Sequence, residues 1–288
     1  MNNIGQYLAT AKSFSREALS LLAFVCGRDS SWIIAHPEYK LNNQETKLFT
    51  KKFEQLKTGR PLAYLLGEKN FYKHSLIVTP AVLIPRPESE IIVETAIDYY
   101  QKKRHNRQIF LDLGTGSGAL IIAIADHLKS KEVSRHGRCY FGASDISPAA
   151  LAIAVKNAKK QHLKSQISFR SGDLLQPWRR YLQINRRSPL FIAANLPYLT
   201  PAEKARETSI AYEPKLALIG GKDGLELYRR LLQQIETLKL SGPLLLMMEI
   251  NPHQAAALVK EAKKYYLPQY IQKKADLSGR TRFIIIDK

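Results

Sequence analysis

The sequence is poor in the residues that mark metal-binding, disulfide-rich and membrane proteins. Its 288 residues include two cysteines, Cys26 and Cys139, which lie far apart and lack metal-ligand spacing. The seven histidines form no HExxH or similar cluster, so no metal site is expected. No apolar run approaches the length of a membrane span, and the N-terminus lacks a signal peptide's apolar stretch. These absences favour a protein of the reducing cytoplasm that makes no membrane contact.

Acidic residues are also few. The chain has 25 Asp and Glu against 44 Lys and Arg, which gives a formal net charge of +19. Such a charge favours approach to polyanions such as RNA, ribosomes or acidic proteins. The basic residues occur in short scattered groups, so a generally basic surface is favoured over a dedicated nucleic-acid site. We therefore expect any nucleic-acid contact to be weak, and we expect a monomer.

The hydrophobic pattern predicts two domains joined by a linker. Residues 1–72 show apolar residues at helical spacing, as in "NNQETKLFTKKFEQLKTGRP", where Asn43 is the expected cap, and predict a small helical domain. Residues 73–90 are rich in β-branched residues and prolines and predict a hairpin or extended linker. In residues 91–288, apolar strands alternate with helices, which predicts a parallel sheet covered on both faces. The closing segments "YIQKKAD" and "RFIIID" are predicted to be strands that form an antiparallel pair. The polar segment "SKEVSRHGR" is predicted to be a surface insert.

A glycine-rich loop, "DLGTGSGA", follows the first strand of this region and opens its first helix. Glycines let the backbone turn tightly and approach a ligand, and a helix N-terminus offers unpaired N–H groups. The segment also satisfies the dinucleotide-binding pattern, so the loop alone does not specify the ligand. The residues expected to line a cofactor are Gly114, Thr115, Gly116, Ser117 and Gly118.

Two carboxylates follow neighbouring strands. Asp145 ends the second strand, where a carboxylate can accept from both hydroxyls of a ribose. Asp173, with Leu174, ends the third, where a carboxylate and a backbone N–H can bind an adenine edge. Both positions suit a nucleoside-containing cofactor but do not separate NAD from S-adenosylmethionine. Each aspartate also has an ordinary alternative role, as a helix cap or turn residue.

The fourth strand runs into "NLPY". Because strand ends meet at one edge of a parallel sheet, Asn195 should face the glycine loop. The Asn195 amide oxygen and the Leu196 carbonyl are acceptors, Pro197 holds Leu196 extended, and Tyr198 can stack on a planar group. Two acceptors can hold both N–H bonds of a planar NH2 group and direct its lone pair at a methyl carbon. This arrangement predicts N-methylation of an amide or exocyclic amine.

A DxGxGxG loop followed by a strand ending in N-x-P-Y resembles class I S-adenosylmethionine-dependent N-methyltransferases. More narrowly, the chain resembles the release-factor glutamine N5-methyltransferases. The stretches that carry the resemblance stand in family order and span most of the chain: "GRPLAYLLGEKNFY" (59–72), "LIPRPESE" (83–90), "FLDLGTGSGAL" (110–120), "NLPYLT" (195–200), "EPKLALIGGKDGLELYRRL" (213–231) and "DLSGRTRFIII" (276–286).

The resemblance implies an α/β fold: a Rossmann-like seven-stranded methyltransferase domain with a small N-terminal all-helical, substrate-recognition domain and a β-hairpin linker. It also implies methyl transfer from S-adenosyl-L-methionine, which leaves S-adenosyl-L-homocysteine, to the glutamine amide in the GGQ loop of class-1 peptide chain release factors. The glycine loop would line the methionine and ribose end of the cofactor. Asp145 would bind the ribose hydroxyls, and Asp173 and Leu174 would lie beside the adenine. Asn195 and Leu196 would hold the glutamine amide, with Pro197 and Tyr198 completing the pocket; Asn195 is also assigned to the cofactor site.

The chain departs from the family pattern at two positions. The family usually has N-P-P-Y, so Leu196 replaces a proline; it keeps the carbonyl but adds an N–H and a freer φ. A looser pocket is the expected consequence. The position of Leu174 is often aromatic, and losing the ring would weaken adenine packing.

Two other functions fit parts of the pattern. N6-adenine methyltransferases use a similar Asn/Asp-x-Pro-Tyr/Phe loop, and the basic charge suits a nucleic acid. A binding protein could instead keep the fold without the activity. Three further segments have both a functional and an ordinary interpretation: "PRPESE" as a gate or a helix start, "ALIGGKDG" as a site or a turn, and residues 199–214 as a mobile substrate loop or a long connection.

Overall fold

The computed structural model describes residues 2–102, 107–130 and 138–288. The chain divides into two compact units, Met1–Glu68 and Lys69–Lys288. The expected surface insert "SKEVSRHGR" falls almost wholly outside the described residues. The boundary between units lies at residue 68 rather than 72, and the division into a recognition domain, linker and catalytic domain stays a prediction. Within the described ranges, no helix is long and apolar enough to cross a membrane.

The first unit is helical and is built around its own apolar core. The helix Asn43–Lys57 is capped by Asn42, whose side chain accepts from the Glu45 N–H at 2.9 Å, so the expected cap at Asn43 is wrong by one residue. The fully buried core side chains include Ile4, Leu21 and Leu22. The helices are α1 (Ile4–Thr10), α2 (Ser15–Cys26), α3 (Ser30–Ala35), α4 (Asn43–Lys57) and α5 (Leu62–Leu66).

A two-stranded sheet follows α5. Gly67 ends the helix in the left-handed conformation, and the strands β1 (Glu68–Phe71) and β2 (His74–Ile77) pair on either side of Tyr72. The paired strands therefore begin before residue 73, where the linker was expected to start. Residues 78–86 lead from β2 to a short 3-10 turn, Pro87–Ser89, which opens the next helix.

The second unit contains a seven-stranded sheet in the order β5-β4-β3-β6-β7-β9-β8. The strands β3 to β7 are parallel, and β9 runs antiparallel between β7 and β8. This confirms the parallel sheet and the antiparallel pair at its end. The strands are β3 (Arg107–Leu113), β4 (Arg138–Asp145), β5 (Ile167–Ser171), β6 (Leu190–Ala194), β7 (Leu244–Glu249), β8 (Ile271–Ala275) and β9 (Thr281–Asp287).

Helices cover both faces of this sheet. Phe110 and Phe191 pack into one core cluster with α6, α7 and α8, which span Glu90–Lys102, Ala119–Ser130 and Pro148–Lys160. Leu111 and Ile192, the next residues along the same strands, pack into a second cluster on the other face. The remaining helices are α9 (Arg179–Ile184), α10 (Pro201–Arg206), α11 (Glu226–Leu238) and α12 (Ala255–Ala262).

The strand order reverses at β3, because β4 and β5 lie on one side of it and β6 on the other. Ligands in such sheets bind at the carboxyl ends of the strands, at the point of reversal. The register pairs Leu113 of β3 with Ala194 of β6, so the residues that follow, Gly114 and Asn195, emerge side by side.

Asn157 of α8 ties the glycine loop to β2. Its buried amide donates to the carbonyls of Ile77 at 2.9 Å and Ser117 at 2.8 Å, and it accepts from the Ile77 N–H at 2.7 Å. One side chain thus connects β2 with the loop after β3.

Candidate active site

The glycine loop needs glycine for two different reasons. Gly114, Gly116 and Gly118 all have positive φ, at 68°, 54° and 82°. An added Cβ at Gly114 would lie 3.0 Å from a methyl of Leu196, and one at Gly118 would lie 3.2 Å from the Ala154 Cβ. Gly114 therefore allows the "NLPY" segment to approach, and Gly118 allows the loop to pack on α8.

Asp112 lies beneath this loop and is almost fully buried. The Thr115 hydroxyl donates to its carboxylate at 2.6 Å. Burial raises the pKa of Asp112 to about 7, while the hydrogen bond from Thr115 acts to lower it. The pair holds the start of the loop against the end of β3.

Asp145 binds the protein at both carboxylate oxygens. One oxygen accepts from the Gly116 N–H at 2.9 Å, and the other accepts from the Ser147 N–H at 2.8 Å. Burial raises the pKa of this carboxyl. Each carboxylate oxygen has a further lone pair, so Asp145 can organise the loop and still accept from a ligand.

Asp173 makes its contacts with α11. Its two oxygens accept from Arg230 Nη1 at 2.9 Å and from Gln234 Nε2 at 3.0 Å. Leu174 has a left-handed backbone, with φ of 49°, and its carbonyl accepts from the Ser144 hydroxyl at 3.0 Å. The carboxylate therefore fixes this turn against α11, and the expected contact with an adenine edge stays a prediction.

Asn195 follows β6 and forms one end of a chain of side-chain hydrogen bonds that leads to buried residues. Its Nδ2 donates to the Ser89 hydroxyl at 2.9 Å, and Ser89 donates to the Glu249 carboxylate at 2.6 Å. This leaves Oδ1 of Asn195 as the amide's acceptor for a ligand.

Leu196 uses the N–H that a proline would lack. The N–H donates to the Tyr228 hydroxyl at 3.3 Å, and Tyr228 in turn donates to the Glu249 carbonyl. Since a tyrosine hydroxyl has one proton, the Leu196 carbonyl is not needed by Tyr228 and can accept from a ligand. Leu196 is also 2% exposed, so packing restrains a residue whose freer φ suggested a looser pocket.

A cavity of about 280 Å³ brings most of the predicted site residues together. Gly118 and Tyr198 are not among the residues that line it. The Tyr198 ring packs against the second core cluster, and its carbonyl accepts from Gln254 Nε2 at 2.7 Å. The predicted residues that line the cavity are Gly114, Thr115, Gly116, Ser117, Asp145, Asp173, Leu174, Asn195, Leu196 and Pro197.

Sequence reasoning did not name Ile146 or Glu249, and it marked Ser89 only as part of the possible gate "PRPESE". Ile146, next to Asp145, lines it with an apolar side chain that is 55% exposed. Ser89 also lines it, and Glu249 lies behind Ser89. Glu249 is the last residue of β7, so its place at the carboxyl end of a parallel strand was an available signal.

The segment 199–214 begins with α10, which Thr200 and Glu203 cap reciprocally. Near its other end, the buried Glu213 accepts from the Ile84 N–H at 3.0 Å and pairs with Arg86. The segment is therefore attached to the residues that precede the 3-10 turn at Pro87–Ser89. Its proposed mobility stays a prediction.

The segment "ALIGGKDG" packs directly on "NLPYLT". The backbones of the two segments are hydrogen-bonded to each other. The Gly220 N–H, for example, donates to the Leu199 carbonyl at 2.9 Å. An added Cβ at Gly220 would overlap the Pro197 carbonyl oxygen, and one at Gly224 would overlap the Tyr198 carbonyl oxygen. These glycines permit backbone contact with the candidate site.

In the described ranges, no three His, Cys, Asp or Glu residues are grouped to hold a metal ion.

The fold matches that of class I methyltransferases. The catalytic domain of human METTL16 in complex with MAT2A 3'UTR hairpin 1 has a TM-score of 0.56 at 15% identity, over 84% of this chain and 89% of that chain. The N-terminal domain of human METTL16 in complex with SAH has a TM-score of 0.53 at 16% identity, over 82% of this chain and 83% of that chain. Such low identity shows the fold alone.

Family comparisons are more specific. A model of the PrmC N-terminal domain matches residues 1–67, and a methyltransferase domain model matches residues 104–181. Proteins named release factor glutamine methyltransferase are similar over nearly full length. The one from Moorella thermoacetica is 34% identical over 92% of this chain and 88% of the relative. The one from Coxiella burnetii is 33% identical over 98% of this chain and 95% of the relative. The chain belongs to the release factor glutamine methyltransferase family, which confirms the resemblance found in the sequence.

Proposed function

We propose that the protein transfers a methyl group from S-adenosyl-L-methionine to the glutamine amide nitrogen in the GGQ loop of class-1 peptide chain release factors. The observation that carries this proposal is the position of Asn195. Its Oδ1 is left as an acceptor in the cavity that the glycine loop and Asp145 also line. Such a substrate also implies a cytoplasmic enzyme. The monomeric state and any weak nucleic-acid contact stay predictions.

The residues around the cavity suit this cofactor. Gly114 and Gly116 present backbone without side chains, Asp145 retains lone pairs for ribose hydroxyls, and the exposed Ile146 offers an apolar surface for a base. When bound, S-adenosyl-L-methionine supplies an electrophilic methyl group on a sulfonium.

Asn195 and Leu196 would orient the substrate. Their two oxygens can accept both N–H bonds of a glutamine amide, whose nitrogen is a poor nucleophile because its lone pair is delocalised. Holding both bonds directs the lone pair and stabilises positive charge that grows on the nitrogen. No base has to remove a proton before the attack.

The direct test is methylation of a release factor. We expect label from S-adenosyl-L-methionine to enter the cognate release factor and to be absent from a factor with glutamine changed to alanine in the GGQ loop. The same assay with RNA and DNA tests the nucleic-acid alternative. Label that persists in the altered factor, or that enters only nucleic acid, would contradict the proposal.

Asp145→Ala should weaken binding of S-adenosyl-L-methionine by roughly 10- to 100-fold, because hydrogen bonds to a charged group contribute about 1.5–3 kcal/mol. The loss includes the contacts that Asp145 makes with Gly116 and Ser147. Asp145→Asn is the matched variant: it keeps one acceptor oxygen and should lose less affinity. Isothermal titration calorimetry measures both. Equal affinity in the wild type and Asp145→Ala would show that this carboxylate does not hold the cofactor.

A further inference from the structure

Two buried side chains outside the family motifs at the glycine loop and "NLPY" contact the candidate catalytic amide through one continuous path. Ser89 belongs to the 3-10 turn before α6, and Glu249 ends β7; each is 3% exposed. The path runs from Asn195 Nδ2 to Ser89 Oγ at 2.9 Å and from Ser89 Oγ to Glu249 Oε2 at 2.6 Å. Three polar groups that are far apart in sequence therefore form one chain.

Proton counting fixes the direction of this chain. An ionised carboxylate can only accept, so Ser89 must give its single hydroxyl proton to Glu249. An O···O distance of 2.6 Å suits such a charge-assisted bond. Ser89 can then only accept from Asn195, which must turn its NH2 group toward Ser89.

We propose that Ser89 and Glu249 are positioning residues that make Asn195 present its oxygen, and not its NH2 group, to the substrate nitrogen. This inference rests on the proposed glutamine methylation. The two ends of an asparagine amide are nearly equal in shape, so packing alone selects weakly between them. A directed chain of hydrogen bonds supplies the selection that shape does not.

A neutral Glu249 would no longer fix the direction of the chain. Its protonated carboxyl can accept from Ser89 or donate to it, and where it donates, Ser89 donates to Asn195 and the amide turns its oxygen toward Ser89. The NH2 group of Asn195 then faces the NH2 group of the substrate, and two donors cannot bond. Only the ionised form of Glu249 therefore selects the productive orientation of the Asn195 amide.

The surroundings of Glu249 place this change near neutral pH. Burial raises the pKa of Glu249 to about 7; the Ser89 hydrogen bond and two arginines act to lower it, and Glu88 acts to raise it. The carboxyl is ionised above that pH, so turnover should fall as pH decreases through about 7. The charged and titratable groups that face Glu249 are Arg282, Arg86, Glu88, Tyr198 and Tyr228.

The test is the pH profile of kcat for release-factor methylation at saturating cofactor, from about two pH units below the expected pKa of Glu249 to about two units above it. The wild type should lose turnover at the acid end. Glu249→Gln cannot titrate and its amide can donate or accept, so its profile should be flat, with kcat about tenfold lower at high pH. Its cofactor affinity should be unchanged. Ser89→Ala should lower kcat and also abolish the acid limb.

Glu88→Gln is the matched control, because Glu88 is exposed and does not line the cavity. Removing its charge should lower the pKa of Glu249, so the acid limb should move to lower pH with the same plateau. An acid limb that persists in Glu249→Gln, or unchanged kcat in Ser89→Ala, would overturn the inference while leaving the methyltransferase function intact. A wild type that does not label the release factor would remove the proposed function and this inference together.

Discussion

Asn195→Ala should lower kcat by roughly 100- to 1,000-fold, because it removes one of two fixed groups that stabilise the reacting amide. Affinity for S-adenosyl-L-methionine should change little, since the glycine loop and Asp145 remain in place. The effect falls on kcat because a substrate amide held at one N–H bond can still bind but rotates out of line with the methyl group.

Single-turnover methylation and cofactor calorimetry on the same preparation separate these two quantities. Asn185→Ala is the control: Asn185 lies beyond α9, contacts Arg107 and does not line the cavity. It should retain wild-type turnover. Loss of cofactor binding in Asn195→Ala, with normal turnover at saturation, would show that Asn195 serves the cofactor and not the glutamine.

Gly220→Ala should lower kcat on the order of 100-fold, because a displacement of about 1 Å at a reacting group can cost that much. Its φ is not in the left-handed region, so a methyl group is not excluded by backbone conformation. The cost comes from overlap with the Pro197 carbonyl and from a contact of 2.8 Å with the Gly224 carbonyl. Either Pro197 moves, and with it the Leu196 carbonyl, or the glycine segment moves away.

The matched control is Gly5→Ala, where an added Cβ meets its nearest atoms at an ordinary 3.4 Å. That variant should keep both turnover and thermal stability. Thermal unfolding of Gly220→Ala checks that the chain still folds before kinetics are compared. A folded Gly220→Ala protein with wild-type kcat would show that the position of Pro197 does not depend on this contact.

The sequence predicted the parts of the site that follow strands. Asp145 and Asn195 could be placed beside the glycine loop because strand ends in a parallel sheet meet at one edge. The two faces of the sheet could be predicted because β6 is apolar at every position and β3 is apolar from Ile109 to Leu111, as strands buried on both sides usually are.

The contacts that orient the site could not be predicted in this way. Ser89 and Asn195 are separated by 106 positions, and no periodicity relates them. Tyr228 lies among the buried residues of α11, yet its hydroxyl accepts from the Leu196 N–H, a contact that no spacing in the sequence indicates. Tyr198 was expected to complete the pocket because its ring can stack; the ring packs against the second core cluster, and its role at the site stays a prediction.

Asn157 gives the molecule a thermodynamic linkage that its layout alone does not suggest. Its amide binds both Ile77 and Ser117, so any ligand that restrains the glycine loop also restrains β2. Part of the binding free energy then restrains β2, whose residues do not line the cavity, and the two segments lose conformational freedom together. Substitutions in β2 can therefore change affinity at the cavity without changing any residue that lines it.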